Sequence, residues 1–225
     1  SDQGRWTFSQ FEDRAARLAG AMLASGLKRG DRVAILFYNG SPFVETYFAA
    51  VRVGLVATPV NFRFVGEEIA YILNDSGASA LFHGSEFQSV VGEVRDRCPA
   101  LRLTVCPGGG LCSMKYEEFL AGGAPAEVDA GIAEPDQCQL MYTSGTTGRP
   151  KGAVISHGNV LWNLVNTILG REDRPSQVSL IVGPLYHTAA LNNHFTIQVA
   201  LGGKSVLISR FDPEIPAVIG KVIED

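Results

Sequence analysis

Strand-length apolar runs alternate with helical segments through the first hundred residues, and that alternation restricts the fold more than any other feature of the sequence. Apolar runs at residues 33–37, 55–60, 80–82 and 101–105 are each separated by a stretch with helical spacing, at 41–54, 67–74 and 86–97. Ser9-Gln-Phe-Glu12 reads as a capping box, and Phe11, Ala15, Leu18, Ala19, Met22 and Leu23 recur at helical spacing behind it, predicting a first helix to about Ser25. Ser41-Pro42 reads as the start of the next helix. Parallel strands need crossover connections of this kind, so the pattern predicts an α/β fold with a mainly parallel sheet covered by helices on both faces.

Between Pro107 and Pro135 the composition shifts to Gly108-Gly-Gly110, Gly122-Gly123 and scattered prolines, with one short amphipathic piece at 116–120. The pattern then resumes: strands at 139–142 and 152–155, a helix from His157 capped by Ser156, a strand at 178–182, a helix at 189–200, a strand at 205–208 and a last helix begun by Asp212-Pro213. The expected organisation is a first α/β portion at 1–106, a Gly/Pro-rich connector at 107–136 and a second α/β portion at 137–225, resembling two Rossmann-like or flavodoxin-like subdomains. No internal repeat relates the two portions.

Composition narrows the function. The chain has 225 residues, 46% of them hydrophobic, and a net charge of −4 with no basic stripe, so nothing points to nucleic acid. Its apolar runs are far shorter than the roughly 18 residues of a membrane span. Cys98, Cys106, Cys112 and Cys138 lack metal-binding spacing and read as reduced structural thiols, which with the absence of a visible signal peptide favours a cytoplasmic setting.

The chemistry is concentrated at residues 142–151, Tyr-Thr-Ser-Gly-Thr-Thr-Gly-Arg-Pro-Lys, between two predicted strands. Gly145 and Gly148 allow main-chain N–H groups to approach an anion. Thr143, Ser144, Thr146 and Thr147 add hydroxyl donors, and Lys151 adds a mobile positive charge. Such a loop suits a polyphosphate. It is not a Walker loop, because Pro150 precedes the lysine and Gly152 follows it. A plain Gly/Thr turn would need neither the hydroxyls nor the lysine.

This stretch resembles the signature loop of the acyl-adenylate-forming superfamily, which holds acyl-CoA synthetases, peptide-synthetase adenylation domains and luciferases. Trp6-Thr-Phe-Ser, Gly30-Asp-Arg-Val-Ala-Ile, Ala57-Thr-Pro-Val-Asn and Ile72-Leu-Asn-Asp-Ser-Gly resemble the early N-terminal region of fatty-acyl-CoA ligases, in the same order. Gly183-Pro-Leu-Tyr-His-Thr-Ala-Ala-Leu191 resembles the family motif in which a histidine lies beside the bound carboxylate or acyl group, which singles out His187. The plainer reading of His187 is a helix cap or a core residue, and His83, His157 and His194 are given that reading.

The resemblance implies an AMP-forming ligase. A fatty or related carboxylic acid would attack the α-phosphate of ATP, and coenzyme A, or a carrier-protein thiol, would then displace AMP. It also implies Mg2+ with the nucleotide, with Thr146 contributing its hydroxyl. The chain ends at Asp225, ahead of the family's adenine, ribose and acidic metal-binding elements and its late lysine. The expectations are therefore little or no ligase activity from these 225 residues alone, a non-catalytic nucleotide-binding module as the competing reading, and an exposed sheet edge that is either covered in a homo-oligomer or continued by the rest of a longer protein.

Overall fold

The computed structural model describes residues 4–143, 148–175 and 177–210. The predicted helix at Asp212-Pro213 and loop residues Ser144, Gly145, Thr146 and Thr147 lie outside the described residues.

The first two-thirds of the chain builds the predicted alternation: α1 (Phe8–Ala24), β1 (Arg32–Leu36), α2 (Ser41–Arg52), β2 (Val56–Pro59), α3 (Gly66–Asp75), β3 (Ala78–His83), α4 (Gln88–Val94), β4 (Leu103–Cys106), β5 (Met114–Lys115), α5 (Tyr116–Ala121), β6 (Gln137–Thr143) and β7 (Lys151–Ser156). These strands form one seven-stranded sheet in the order β5-β4-β3-β1-β2-β6-β7. All neighbours are parallel except β6 and β7, which form an antiparallel hairpin. After β7 come α6 (His157–Arg171), β8 (Val178–Ile181) and β9 (Lys204–Leu207), the last two pairing as a separate parallel sheet.

Alternation along β1 explains why its sequence reads as a continuous apolar run. Val33, Ile35 and Phe37 face a core shared with α1, α2 and α5, whereas Ala34 and Leu36 face a second core under α3 and α4. A helix layer on each face leaves the strand no solvated side.

Several local expectations are corrected. The capping box of α1 is Thr7 with Gln10: Gln10 N donates to Thr7 Oγ1 at 3.2 Å and Thr7 N donates to Gln10 Oε1 at 2.9 Å. The overlapping Ser9/Glu12 pair has the same spacing, but starting at Thr7 adds two residues of helical hydrogen bonding. In α2 the N-cap is Gly40, and Ser41 is already helical, with its hydroxyl accepting from Trp6 Nε1 at 2.9 Å. The segment 86–97 is a short α4 flanked by 3₁₀ turns. Likewise, 189–200 is broken into Thr188–Ala190, a π-helical turn at Leu191–Phe195 and Thr196–Ala200.

Nor is the connector a free linker. Met114 and Lys115 extend the sheet, α5 packs on α1, and Ala126 N donates to Ala16 O at 2.9 Å. Gly20, in the middle of α1, has no room for a Cβ because the Ala124 carbonyl occupies that space. Moreover, the first sheet does not end at residue 136. β6 bonds to β2, so the break between sheets falls after β7.

The cysteine expectation is half corrected. Cys98 and Cys138 are free and buried, but Cys106 and Cys112 form a disulfide with a Cα–Cα distance of 5.9 Å. Gly109 and Gly110, at φ 69° and 102°, turn the chain back sharply enough to bring the two together. Sequence spacing alone carries no sign of that turn's geometry.

His83 ends β3 with no solvent exposure. Its Nδ1 lies 2.9 Å from Gly84 O while its Nε2 is buried without a partner, and burial pushes its pKa down. The native state therefore holds a neutral ring with the proton on Nδ1. A folded pKa below the unfolded value near 6.5 means that the unfolded chain binds the extra proton first, so stability is full above pH 6.5 and is lost as pH falls below it. Urea unfolding across pH 7.5 to 5.5 should show this loss, and His83→Gln should reduce it, leaving the part that His157 and His194 contribute. An equal slope in both proteins would remove His83 as the cause.

Candidate active site

The hairpin β6–β7 holds what the structure describes of the predicted phosphate loop. β6 runs parallel to β2 and ends at Thr143, so Thr143 stands at the carboxyl end of a parallel strand, where open α/β sheets place their ligands. Thr143 pairs across the hairpin with Lys151, which sets both exposed side chains opposite one another at the loop's base. Gly148 has φ 87°, in the left-handed region open to glycine, with no atom near where a Cβ would sit.

The base of this loop is anchored on the α3 side. Tyr142 Oη donates to Asp75 Oδ2 at 2.7 Å, and burial, reinforced by the Asp75 carboxylate, drives the Tyr142 pKa up and keeps the phenol protonated. Arg149 lies with its guanidinium 5.7 Å from the Tyr71 ring centroid. Tyr142 and Arg149 thus address α3, while Thr143 and Lys151 are exposed opposite one another. A cavity of about 420 Å³ lies between α3 and Gly148, Arg149 and Pro150. Another cavity, of about 550 Å³, is lined by Trp6, Phe8, Phe195 and Val206 and by none of the described residues among the predicted site.

His187 follows β8 and is exposed. Its backbone N donates to Pro184 O at 3.0 Å, closing a tight turn, and its Nδ1 accepts from Ala189 N at 3.4 Å as the cap of Thr188–Ala190. With Nδ1 accepting, a neutral ring carries its proton on Nε2, free to donate to a carboxylate. The next residue links the turn to the hairpin: Thr188 Oγ1 donates to Met141 Sδ at 3.0 Å, and Met141 lies two residues before Thr143. The two sequence motifs, some forty residues apart, therefore meet along β6.

Two features near the site escaped the sequence. Gln139 in β6 and Asn192 in the π-helical turn exchange side-chain amide bonds at 2.9 and 3.0 Å, both buried, and Gln139 Nε2 also donates to Tyr47 Oη. A buried amide pair in contact only after folding leaves no periodic signal, although a polar residue inside the apolar run 138–141 is a hint. The second feature is Asn39, at the end of β1. The remaining histidines keep their structural reading. His157 opens α6 with Ser156 as its cap, and burial pushes its pKa down against the pull of Asp136. Burial likewise lowers that of His194. Among the described residues, no group of three or more His, Cys, Asp or Glu could hold a metal ion, and no helix is long and apolar enough to cross a membrane.

The chain belongs to the AMP-binding enzyme family, whose model matches residues 1–225. It is 39% identical over 207 residues to a feruloyl-CoA synthase of Amycolatopsis sp, covering 92% of this chain and 40% of that protein. It is 33% identical over 187 residues to a long-chain-fatty-acid–CoA ligase of Mycobacterium tuberculosis, covering 83% of this chain and 37% of that protein. Among solved structures, ATP-bound MatB from Rhodopseudomonas palustris superposes with a TM-score of 0.82 at 27% identity, over 96% of this chain and 41% of that one. The chain thus spans about two-fifths of the length of the curated relatives it matches.

Proposed function

We propose that this chain is the phosphate-loop portion of an AMP-forming acid–thiol ligase that converts a hydrophobic carboxylic acid to its coenzyme A thioester. The observation that carries the reading is the hairpin that sets Thr143 opposite Lys151 at the carboxyl end of β6, in a chain of the AMP-binding family. In the first step a carboxylate oxygen attacks the α-phosphorus of ATP, the bond to the β-phosphate oxygen breaks, and pyrophosphate leaves. In the second, the coenzyme A thiol loses its proton as sulfur attacks the acyl carbon, and AMP leaves with the electron pair.

Thr143, Ser144, Gly145, Thr146, Thr147, Gly148 and Lys151 are assigned to the phosphates, where fixed donors and a cation stabilise charge moving onto pyrophosphate. His187 is assigned to the carboxylate side through its Nε2–H. Thr146 remains the proposed magnesium ligand. The described residues offer no acidic cluster for that ion. A cytoplasmic setting, with ATP and coenzyme A at hand, belongs to the same proposal.

Substrate class has two readings. A fatty acid follows from the early segments and the fatty-acid ligase relative; an aryl carboxylic acid is favoured by the higher identity to a feruloyl-CoA synthase. Incubating the whole protein with ATP, coenzyme A and a panel of medium- and long-chain fatty acids and hydroxycinnamic acids, with thioesters identified by mass spectrometry, separates them by kcat/KM. An acyl-CoA product is expected. Acylation confined to a carrier protein would overturn the choice of acceptor.

A further inference from the structure

We propose that Asn39 is the positioning residue that holds the His187 turn against the rest of the site, a role that rests on the assignment of His187 to the carboxylate. Asn39 is 3% exposed and lies just beyond the carboxyl end of β1. Its Nδ2 donates to Gly183 O at 2.8 Å and to Ile208 O at 3.0 Å, its Oδ1 accepts from Leu185 N at 2.8 Å, and its backbone N donates to Ser209 O at 3.2 Å.

Gly183 O and Leu185 N flank Pro184, and together they are the pair of groups that a neighbouring strand would engage across the bridge. The side-chain amide of Asn39 takes the place of that strand. Its second N–H is left for Ile208, just after β9, so one side chain joins the carboxyl ends of β1, β8 and β9 across two sheets. From this clamp the turn runs directly to the candidate site: Pro184 O accepts from His187 N at 3.0 Å, and Thr188 then reaches Met141 on β6. No other side chain of this size offers two donors and an acceptor in one plane. Asp lacks the donors, and Leu lacks both.

The clamp lies on the carboxylate side of the site, so its loss should act on the acid more than on ATP. In the whole protein, Asn39→Ala is expected to lower kcat/KM for the carboxylic acid by about 10- to 100-fold through misplacement of the turn, with the KM for ATP changed less than about threefold. Asn39→Ser, which keeps a hydroxyl and a milder core change, serves if Asn39→Ala does not fold. The deciding readout is a double-mutant cycle with His187→Ala. If Asn39 acts through His187, the double variant is no slower than His187→Ala alone. Multiplying effects, equal losses for acid and ATP, or an unchanged kcat/KM for the acid would each overturn the proposal. A wild-type protein with no acid-dependent adenylate formation would instead overturn the function on which it rests.

Discussion

Replacing Lys151 with Ala in the whole protein should slow adenylate formation by about 10²-fold while changing carboxylic-acid affinity by less than about threefold. Lys151 opens β7, is exposed, and sits across the hairpin from Thr143, so its truncation removes a charge without leaving a cavity. The residues bracketing the loop keep their anchors: Tyr142 on Asp75 and Arg149 over Tyr71. The effect should therefore be confined to phosphates, whose negative charge shifts toward pyrophosphate in the reaction. Lys151→Arg should recover part of the rate, since it restores the charge with a different shape. Pre-steady-state AMP-ester formation and acid binding by calorimetry measure the two quantities. Equal losses in both would make the loop a structural turn.

The largest stability effect is expected at Glu45. This carboxylate has no solvent exposure and accepts from Arg14 Nε at 2.8 Å, Arg14 Nη2 at 3.1 Å and Tyr116 Oη at 2.8 Å, tying α1, α2 and α5 together. Burial, and after it the Glu45 charge, raises the Tyr116 pKa and keeps that phenol a donor. Glu45→Ala takes the carboxylate acceptor from the Tyr116 hydroxyl and removes one of the two carboxylates on Arg14, and it opens a void. Breaking a buried pair from one side costs about 3–5 kcal/mol; because Arg14 keeps Glu117 at 2.7 Å, about 3 kcal/mol is the expected loss. The exposed pair Arg102–Asp31, treated the same way, should change stability by less than about 1 kcal/mol. Urea midpoints report both. A Glu45→Ala cost as small as that of Arg102→Ala would mean that water re-pairs Arg14 and Tyr116.

Much of this architecture was legible in the sequence because each element carries its own periodicity. The run 33–37 reads as a fully buried strand since helices cover both faces of β1, and Ser156 reads as a cap since its hydroxyl meets Asn159 N in the following turn. At the start of α1 the sequence predicts Ser9 with Glu12 as the capping box, whereas the cap is Thr7 with Gln10, two residues earlier at the same spacing. Non-local pairing was not legible at all. Nothing in 137–143 says that β6 joins the first sheet, nothing in Cys106 and Cys112 reports the glycine turn between them, and Asn39 meets Gly183 only across 144 residues of chain. The candidate site follows the same division: the loop's residue types suggested a phosphate grip from sequence alone, whereas the Thr188–Met141 contact that brings His187 to β6 exists only in three dimensions.

If this site joins a carboxylate to AMP, as proposed, the whole protein catalyses ATP–pyrophosphate exchange that depends on the acid. Labelled pyrophosphate should enter ATP only when a hydrophobic carboxylic acid is present, and the exchange should fall by about 10²-fold with Lys151→Ala. ATP binding with no exchange under any acid, or cleavage of ATP to ADP and phosphate, would contradict it.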